Sequence, residues 1–118
     1  MNLAELFRHE TDLETLVAGQ TLFNEGEKGG LMYVLMSGTA MILVNKRIVE
    51  IAEAGAIVGE MAMIDEAKRS ATVIAKTDCK LLPIERKRFN FLIQQTPNFA
   101  LHIMRVIADR LRKADASL

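Results

Sequence analysis

Two side chains of opposite charge stand near the ends of a mostly small or apolar stretch, GEMAMIDEAKRSATV, residues 59–73. Arg69 presents a planar fork of N–H donors that suits phosphate oxygens. Ser70 adds a hydroxyl, and the small residues Ser70 and Ala71 allow backbone N–H groups to approach an anion. Glu60 is an acceptor suited to a ribose hydroxyl. These residue types favour a binding site for a sugar phosphate that carries one negative charge.

The same residues allow a second interpretation, in which Glu60 and Arg69 form an ion pair that holds a loop together. Gly59 permits a close approach of the backbone and is compatible with either interpretation. Side-chain chemistry alone does not decide between a sugar-phosphate site and a structural ion pair.

Composition excludes several other classes of function. The 118-residue chain has 15 basic and 15 acidic residues, and this zero net charge argues against a dedicated nucleic-acid binder. Its single cysteine, Cys79, rules out an internal disulfide framework, and we expect it to be a buried apolar residue. His9 and His102 lie near opposite ends, and residues 13–84 contain no histidine. We therefore expect neither a metal cofactor, as in cupin enzymes, nor a haem site.

The chain also lacks the sequence features of a catalyst or a membrane protein. No nucleophile–base pair is apparent, so we expect a protein that is not an enzyme. The N-terminus has neither a basic start nor an apolar core, so we do not expect it to be a signal peptide. Residues 31–44 are uncharged but fall short of the roughly 20 residues that a membrane helix needs. We interpret them as two buried strands joined at Ser37-Gly38, in a cytoplasmic protein.

The elements that must position the charged pair are predicted to be short strands. Turn-forming residues recur at intervals of about 8–12 residues, which is typical of an all-β sandwich or barrel. We expect this barrel to cover about residues 12–84, with a short helix at 2–8 before it. Residues 71–84 should supply the last two strands, with Asp78 near their turn.

Beyond Pro83 the apolar spacing becomes helical. It predicts one helix over residues 85–95 and a second over 97–113. Thr96 and Pro97 mark the restart, as N-cap and first helical residue.

Residues 59–73 also resemble the phosphate-binding cassette of the cyclic nucleotide-binding domain family, and we call this segment the cassette. That family includes the catabolite activator protein and the regulatory subunits of cyclic-AMP-dependent protein kinase. Its pattern is G-E-(apolar)-A-(apolar), a short helix, then P-R-(S/A/T)-A-T-V. The glycine-punctuated residues 18–38 and the stretch after residue 79 resemble the same family. The resemblance implies one mainly β domain over 1–118, a double-stranded β-helix (jelly roll) with one short N-terminal and two C-terminal helices.

The resemblance also implies a role for each cassette residue in binding a cyclic nucleotide. Glu60, next to Gly59, would accept a hydrogen bond from the ribose 2′-OH, and Arg69 would hold the exocyclic phosphate oxygens. Backbone N–H groups near Ser70 and Ala71 would complete the phosphate site.

A second group of residues would line the base pocket, although a place in the barrel core is an equally open alternative for each: Met61, Ile42 and Val49. The ligand implied first is cyclic AMP, with cyclic GMP second. On binding, the helices after the barrel would move.

Two departures from the family pattern limit which of the family's properties we expect of this chain. Lys68 stands where the family often has proline, which removes some rigidity but no ligand contact. The chain ends at Leu118, before a DNA-binding helix-turn-helix could be completed, so we expect no DNA binding by this chain alone. An effector protein in trans or a homodimer remains open, as does a degenerate scaffold that acts only through protein–protein contacts.

Overall fold

The computed structural model describes residues 1–65 and 68–116, with no description of the side chains at 115 and 116. It is mainly β, with short helices before and within the strands and longer ones after them. In chain order the elements are α1 (Leu3–Leu6), β1 (Glu14–Leu16), β2 (Thr21–Phe23), β3 (Leu31–Ser37), β4 (Ala40–Val44), β5 (Arg47–Ala52), β6 (Ile57–Val58), α2 (Met61–Ile64), β7 (Thr72–Ala75), β8 (Cys79–Glu85), α3 (Arg86–Gln95) and α4 (Pro97–Ala116).

The eight strands found in the described residues form two four-stranded antiparallel sheets. One has the order β1-β8-β3-β6 and the other the order β2-β7-β4-β5. Strands that are consecutive in sequence therefore often lie in different sheets, which is the double-sheet arrangement of a jelly roll. This confirms the fold class expected from the turn spacing and from the family resemblance.

The apolar core lies between the two sheets, because both contribute side chains to one cluster. Tyr33 and Leu35 enter it from β3, Ile42 from β4 and Val73 from β7. Cys79, at 1% exposure, is also part of this cluster, as expected. The alternate residues of β3, Met32 and Val34, are buried too. A strand buried on both faces reads as a continuous apolar run, which explains why residues 31–36 show no alternation.

The cassette connects the two sheets. It begins after β6, at an edge of the first sheet, and its last residues enter β7, in the interior of the second. Between these strands the chain forms the single turn of α2. The short helix that the family pattern implies is therefore present.

The chain divides into two compact units. One is residues 2–86, which we call the β unit; the other, the helical unit, is Met1 with Lys87–Leu118. Within the helical unit the Phe89 and Phe99 rings meet edge to face, with centroids 5.9 Å apart. Because proline cannot continue the hydrogen bonds of a preceding helix, α4 starts afresh at Pro97. The predicted helices are confirmed, although α4 continues to Ala116 instead of ending at 113.

The predicted N-terminal helix is present but shorter than residues 2–8, because Phe7 leaves the helical conformation. No helix within residues 1–65 and 68–116 has the length and apolar character needed to cross a bilayer.

Candidate functional site

Glu60 and Arg69 are the two charged side chains that are buried among the described residues. Glu60 is 6% exposed and Arg69 is 7% exposed. Burying a charge is costly unless the charge is compensated. The fold therefore holds in its interior the two side chains that the sequence marks as capable of binding a sugar phosphate.

The backbone of Arg69 is fixed by the loop between β2 and β3. The Arg69 N–H donates to the Glu27 carbonyl at 2.8 Å, and the Gly26 N–H donates to the Arg69 carbonyl at 2.8 Å. Two reciprocal hydrogen bonds of this kind set the direction of the side chain between them. The loop at residues 24–30 is thus part of the site's wall.

The Arg69 guanidinium lies over the Phe23 ring, with Cζ 4.1 Å from the ring centroid. Its Nη1 donates to the Gly59 carbonyl across 3.4 Å, a long hydrogen bond. Its Nε is buried and has no hydrogen-bond partner among the described residues. This arginine is positioned, but its donors are not saturated.

The electrostatics of Arg69 reflect the same surroundings. Burial lowers the pKa of Arg69, while Tyr33, Glu27 and Glu60 oppose that change. Since an arginine pKa starts far above neutrality, the side chain stays cationic at pH 7. Burial also raises the pKa of Tyr33, an effect that Glu14 reinforces and Arg69 opposes. The site therefore presents a positive charge in a poorly hydrated place.

Two glycines provide the space that the guanidinium occupies. A Cβ built on Gly59 would lie 2.5 Å from Arg69 Nη1, and one built on Gly29 would overlap the guanidinium itself. Gly59 also has φ of +76°, a conformation that suits glycine. A side chain at either position would displace Arg69.

Glu60 immediately precedes α2, and its side chain makes no capping hydrogen bond to that helix. The other end of α2 is held by Arg86, the first residue of α3. Arg86 Nη1 donates to the Met63 carbonyl at 3.0 Å and Nη2 to the Ala62 carbonyl at 2.6 Å. These charge-assisted bonds satisfy carbonyls at the helix C-terminus, which has no intrahelical donors for them.

The sequence pattern of the cyclic nucleotide-binding domain family matches residues 13–96, more than half of the chain. The chain belongs to this family. The match includes all eight strands and the cassette. The buried acid and arginine therefore lie in the cassette of a cyclic nucleotide-binding domain.

Individual relatives agree with the family assignment. The cyclic AMP receptor protein of Thermus thermophilus is 31% identical over 105 residues, which are 85% of this chain and 49% of that protein. The structure of the Thermus thermophilus catabolite activator protein superposes with a TM-score of 0.78 at 26% identity, over 95% of this chain and 60% of that one. This cyclic nucleotide-binding domain thus spans about half the length of the receptor that it matches.

A third relative is an enzyme that contains a similar region. The structure of the EAL enzyme Bd1971 in its cyclic-AMP-bound form gives a TM-score of 0.67 at 30% identity, over 87% of this chain and 29% of that one. The same enzyme also has a cyclic-GMP-bound structure, which matches at 29% identity with a TM-score of 0.69, over 90% of this chain and 30% of that one.

The structure brings together some of the predicted site residues. The Gly59 carbonyl accepts a hydrogen bond from Arg69, and Glu60 is near enough to raise the pKa of Arg69 against the effect of burial. Ser70 follows Arg69 directly and is exposed, while Ala71 is half-buried just before β7. Gly59 and Glu60 therefore lie near the Arg69 side chain, while Ser70 and Ala71 are placed beside Arg69 by the chain itself.

The predicted base-pocket residues are more dispersed. Met61 is half-buried at the start of α2, beside Glu60. Ile42 is buried in the cluster between the sheets, which agrees with the core alternative. Val49 is 55% exposed and lies at the irregularity in the β4–β5 pairing, and no described contact joins it to the cassette.

Three further residues contribute to the site and were not singled out in the sequence. Phe23 lies beneath the guanidinium, Gly29 leaves room for it, and Arg86 holds α2. The run of glycines at 26–30 was a signal that some backbone approaches closely there. The sequence does not show that the group close to Gly29 is the Arg69 side chain.

Proposed function

We propose that the chain is a regulatory module that senses a cyclic nucleotide, with cyclic AMP as the favoured ligand. The observation that carries this proposal is the state of Arg69. The side chain is buried at 7% exposure, and its Nε has no partner among the described residues. Leaving a buried donor unsatisfied costs about 1–3 kcal/mol, and more for a charged group. An anionic ligand would recover that cost.

In this proposal different residues of the cassette bind different parts of the ligand. Arg69 holds the exocyclic phosphate oxygens, and the backbone N–H groups of Ser70 and Ala71 complete the phosphate site. Glu60 accepts a hydrogen bond from the ribose 2′-OH, close to the backbone of Gly59. The carboxylate suits this role because it is buried and lies close enough to the arginine to affect its pKa.

The base occupies the side of the site bounded by Met61. Ile42 would shape that side from within the core, where it pairs in register with Val73 of β7. Val49 would reach the base only from the exposed surface of β5. The contribution to base binding should therefore fall in the order Met61, Ile42, Val49.

The choice of cyclic AMP is supported by the named relatives. One is a cyclic AMP receptor protein, and the EAL enzyme is known in a cyclic-AMP-bound form, although also in a cyclic-GMP-bound form. Ser70 has a hydroxyl that could serve either base, so it does not select between them. Isothermal titration calorimetry with both nucleotides tests the choice. We expect tighter binding of cyclic AMP, and equal or tighter binding of cyclic GMP would refute it.

We further propose that binding occurs without turnover. The gathered groups are a cation, a carboxylate and backbone N–H groups, which bind and orient a nucleotide. Prolonged incubation followed by chromatography should return cyclic AMP intact. Accumulation of a linear monophosphate would show that the domain is a phosphodiesterase.

The final part of the proposal concerns how nucleotide binding changes the conformation of the chain. We propose that residues 1–118 act as a single domain and that α4 shifts when the nucleotide binds. A ligand that shifts a helix must bind the shifted state better, so the helix must reciprocally strengthen binding. Truncation after Gln95 should then weaken affinity by about 5–150-fold, the usual range of allosteric coupling. If a folded truncated chain binds as tightly as the full chain, α4 is a passive element.

A further inference from the structure

The aromatic ring beneath Arg69 has a role that goes beyond packing. Phe23 is the last residue of β2 and is buried between the sheets, where its ring lies 6.3 Å from the ring of Tyr33. Its π face is directed at the guanidinium, with Cζ 4.1 Å from the ring centroid. That distance is well inside the roughly 6 Å within which a cation is attracted to an aromatic ring.

We propose that Phe23 is an affinity-determining positioning residue for the anionic ligand, acting through its cation–π contact with Arg69. This inference rests on the proposed function and extends it to a residue outside the cassette. The contact stabilises the buried charge and fixes the guanidinium in place before any ligand arrives.

The contact with the ring leaves the arginine free to bind an anion. A π face attracts positive charge without accepting a conventional hydrogen bond, so it does not occupy the five N–H donors of the guanidinium. Among the described residues one of those donors, Nε, is unpaired, and Nη1 makes only the 3.4 Å bond to the Gly59 carbonyl. A carboxylate in the place of Phe23 would instead compete with a phosphate for the same donors. The ring therefore holds the guanidinium in place without using its donors, so that less ordering of this side chain is left to oppose binding of the phosphate.

The role can be separated from packing by changing the electrostatics of the ring at nearly constant shape. Progressive fluorination of phenylalanine weakens and finally reverses the negative potential of the π face. We would replace Phe23 with mono-, di-, tri- and pentafluorophenylalanine and measure the Kd for cyclic AMP by calorimetry. A desolvated cation–π contact is worth about 2 kcal/mol, which corresponds to a loss of affinity of up to about 30-fold. We expect log Kd to rise steadily with each fluorine.

A matched series at Phe7 provides the control. Phe7 is also buried in the β unit, at 5% exposure, and it stands at the end of α1. Fluorination there should leave Kd within about twofold, and the unfolding free energy of each variant is measured alongside. Phe23→Leu, which removes the attraction of the π face without introducing repulsion, should weaken binding no more than the pentafluorinated ring.

The outcomes distinguish this inference from the proposed function. If the unmodified chain binds cyclic AMP and the Phe23 series shows no trend, Phe23 is a packing residue and the inference is wrong. If the unmodified chain binds neither cyclic AMP nor cyclic GMP, the proposed function fails and this inference fails with it. If both series change Kd equally, the effect is a general one of fluorination, and this too overturns the inference.

Discussion

Arg69 lies within the cassette of this domain and Arg86 contacts it from outside, and the hydrogen-bond donors of the two side chains are satisfied to very different degrees. Arg86, at the C-terminal end of α2, donates to two backbone carbonyls at 3.0 and 2.6 Å. Arg69, at the other end of the cassette, makes one 3.4 Å bond to a carbonyl, faces an aromatic ring and keeps Nε unpaired within the described residues. Both are held in place by the same β unit. One has the bonding of a structural residue, and the other has unused donors in a buried position.

The difference is what we expect if Arg69 is a binding residue that the fold holds in position before the ligand arrives. Hydrogen bonds from charged groups contribute about 1.5–3 kcal/mol each, so the bonds of Arg86 should stabilise α2. Arg69 Nε lacks such a partner among the described residues, and burial lowers the pKa of Arg69, a sign that the fold disfavours its charge. We infer that Arg86 contributes to stability and Arg69 to affinity. Measuring both Kd and the free energy of unfolding of variants separates these two contributions.

Arg69→Ala should have the largest effect on affinity for cyclic AMP. Removing one partner of a buried charge pair typically costs about 2–5 kcal/mol, or roughly 30-fold to several thousand-fold in Kd. Arg69→Lys should recover only part of this loss, because an ammonium lacks the planar fork. The unfolding free energy should change by no more than about 1 kcal/mol, since the lost contact with Phe23 is offset by relief from desolvation.

The matched control for this change is Arg112→Ala. Arg112 forms an exposed ion pair with Asp109 at 2.9 Å, and such pairs contribute little. Calorimetry and urea denaturation should find both affinity and stability close to those of the unchanged chain. Near-normal affinity in Arg69→Ala itself would place the binding site elsewhere.

Gly29→Ala should have the next largest effect on affinity. The added methyl would overlap the Arg69 guanidinium and force it to move, and we expect Kd to rise by at least about tenfold, or 1.4 kcal/mol. Gly30→Ala is the adjacent control, because a Cβ there meets no atom within 4 Å. Equal losses in the two variants would mean that loop flexibility, and not the space around Arg69, controls binding.

Glu60→Gln should weaken binding less than either change, because a neutral amide oxygen can still accept a hydrogen bond. Its main effect should be on discrimination: the ratio of the Kd for 2′-deoxy cyclic AMP to that for cyclic AMP should fall. Competition titrations measure this ratio, with the exposed Glu53→Gln as control. An unchanged ratio would show that Glu60 does not accept a hydrogen bond from the ribose 2′-OH.

Arg86→Gln should have the smallest effect on affinity and the largest on stability. The unfolding free energy should fall by about 1–3 kcal/mol, because the change leaves carbonyls of α2 without their charged donor. Kd should change by less than about tenfold. Lys87→Gln, which removes a neighbouring exposed charge, should leave both quantities unaltered. A loss of affinity in Arg86→Gln as large as that in Arg69→Ala would abolish the distinction between the two arginines.

Much of the fold followed from the sequence because its signals are local. Turn residues spaced along 19–59 predicted short strands, and the change of apolar period after Pro83 predicted α3 and α4. The restart at Pro97 is set by the chemistry of proline itself. These features depend on neighbouring residues, so they can be read without the fold.

The site was predictable only where its residues are consecutive. The cassette pattern identified Glu60 and Arg69, and both proved to be buried. Arg69 lies just before β7, whereas Phe23 and Gly29 lie in β2 and in the loop after it, so these contacts depend on the pairing of β2 with β7. Val49 stays an untested base-pocket prediction, and its exposure could not be foreseen, because it depends on the edge position of β5 and on the irregular pairing with β4.

The central claim is that Arg69 keeps its donors available for the ligand while Arg86 does not. Side-chain ¹H–¹⁵N NMR spectra that resolve the guanidinium groups test it most directly, recorded during titration with cyclic AMP. The account predicts that the Arg69 N–H signals shift strongly and exchange more slowly with water as the phosphate binds, with the Arg86 signals unchanged. Cyclic AMP binding that leaves the Arg69 signals where they were, or that shifts those of Arg86 instead, would contradict it.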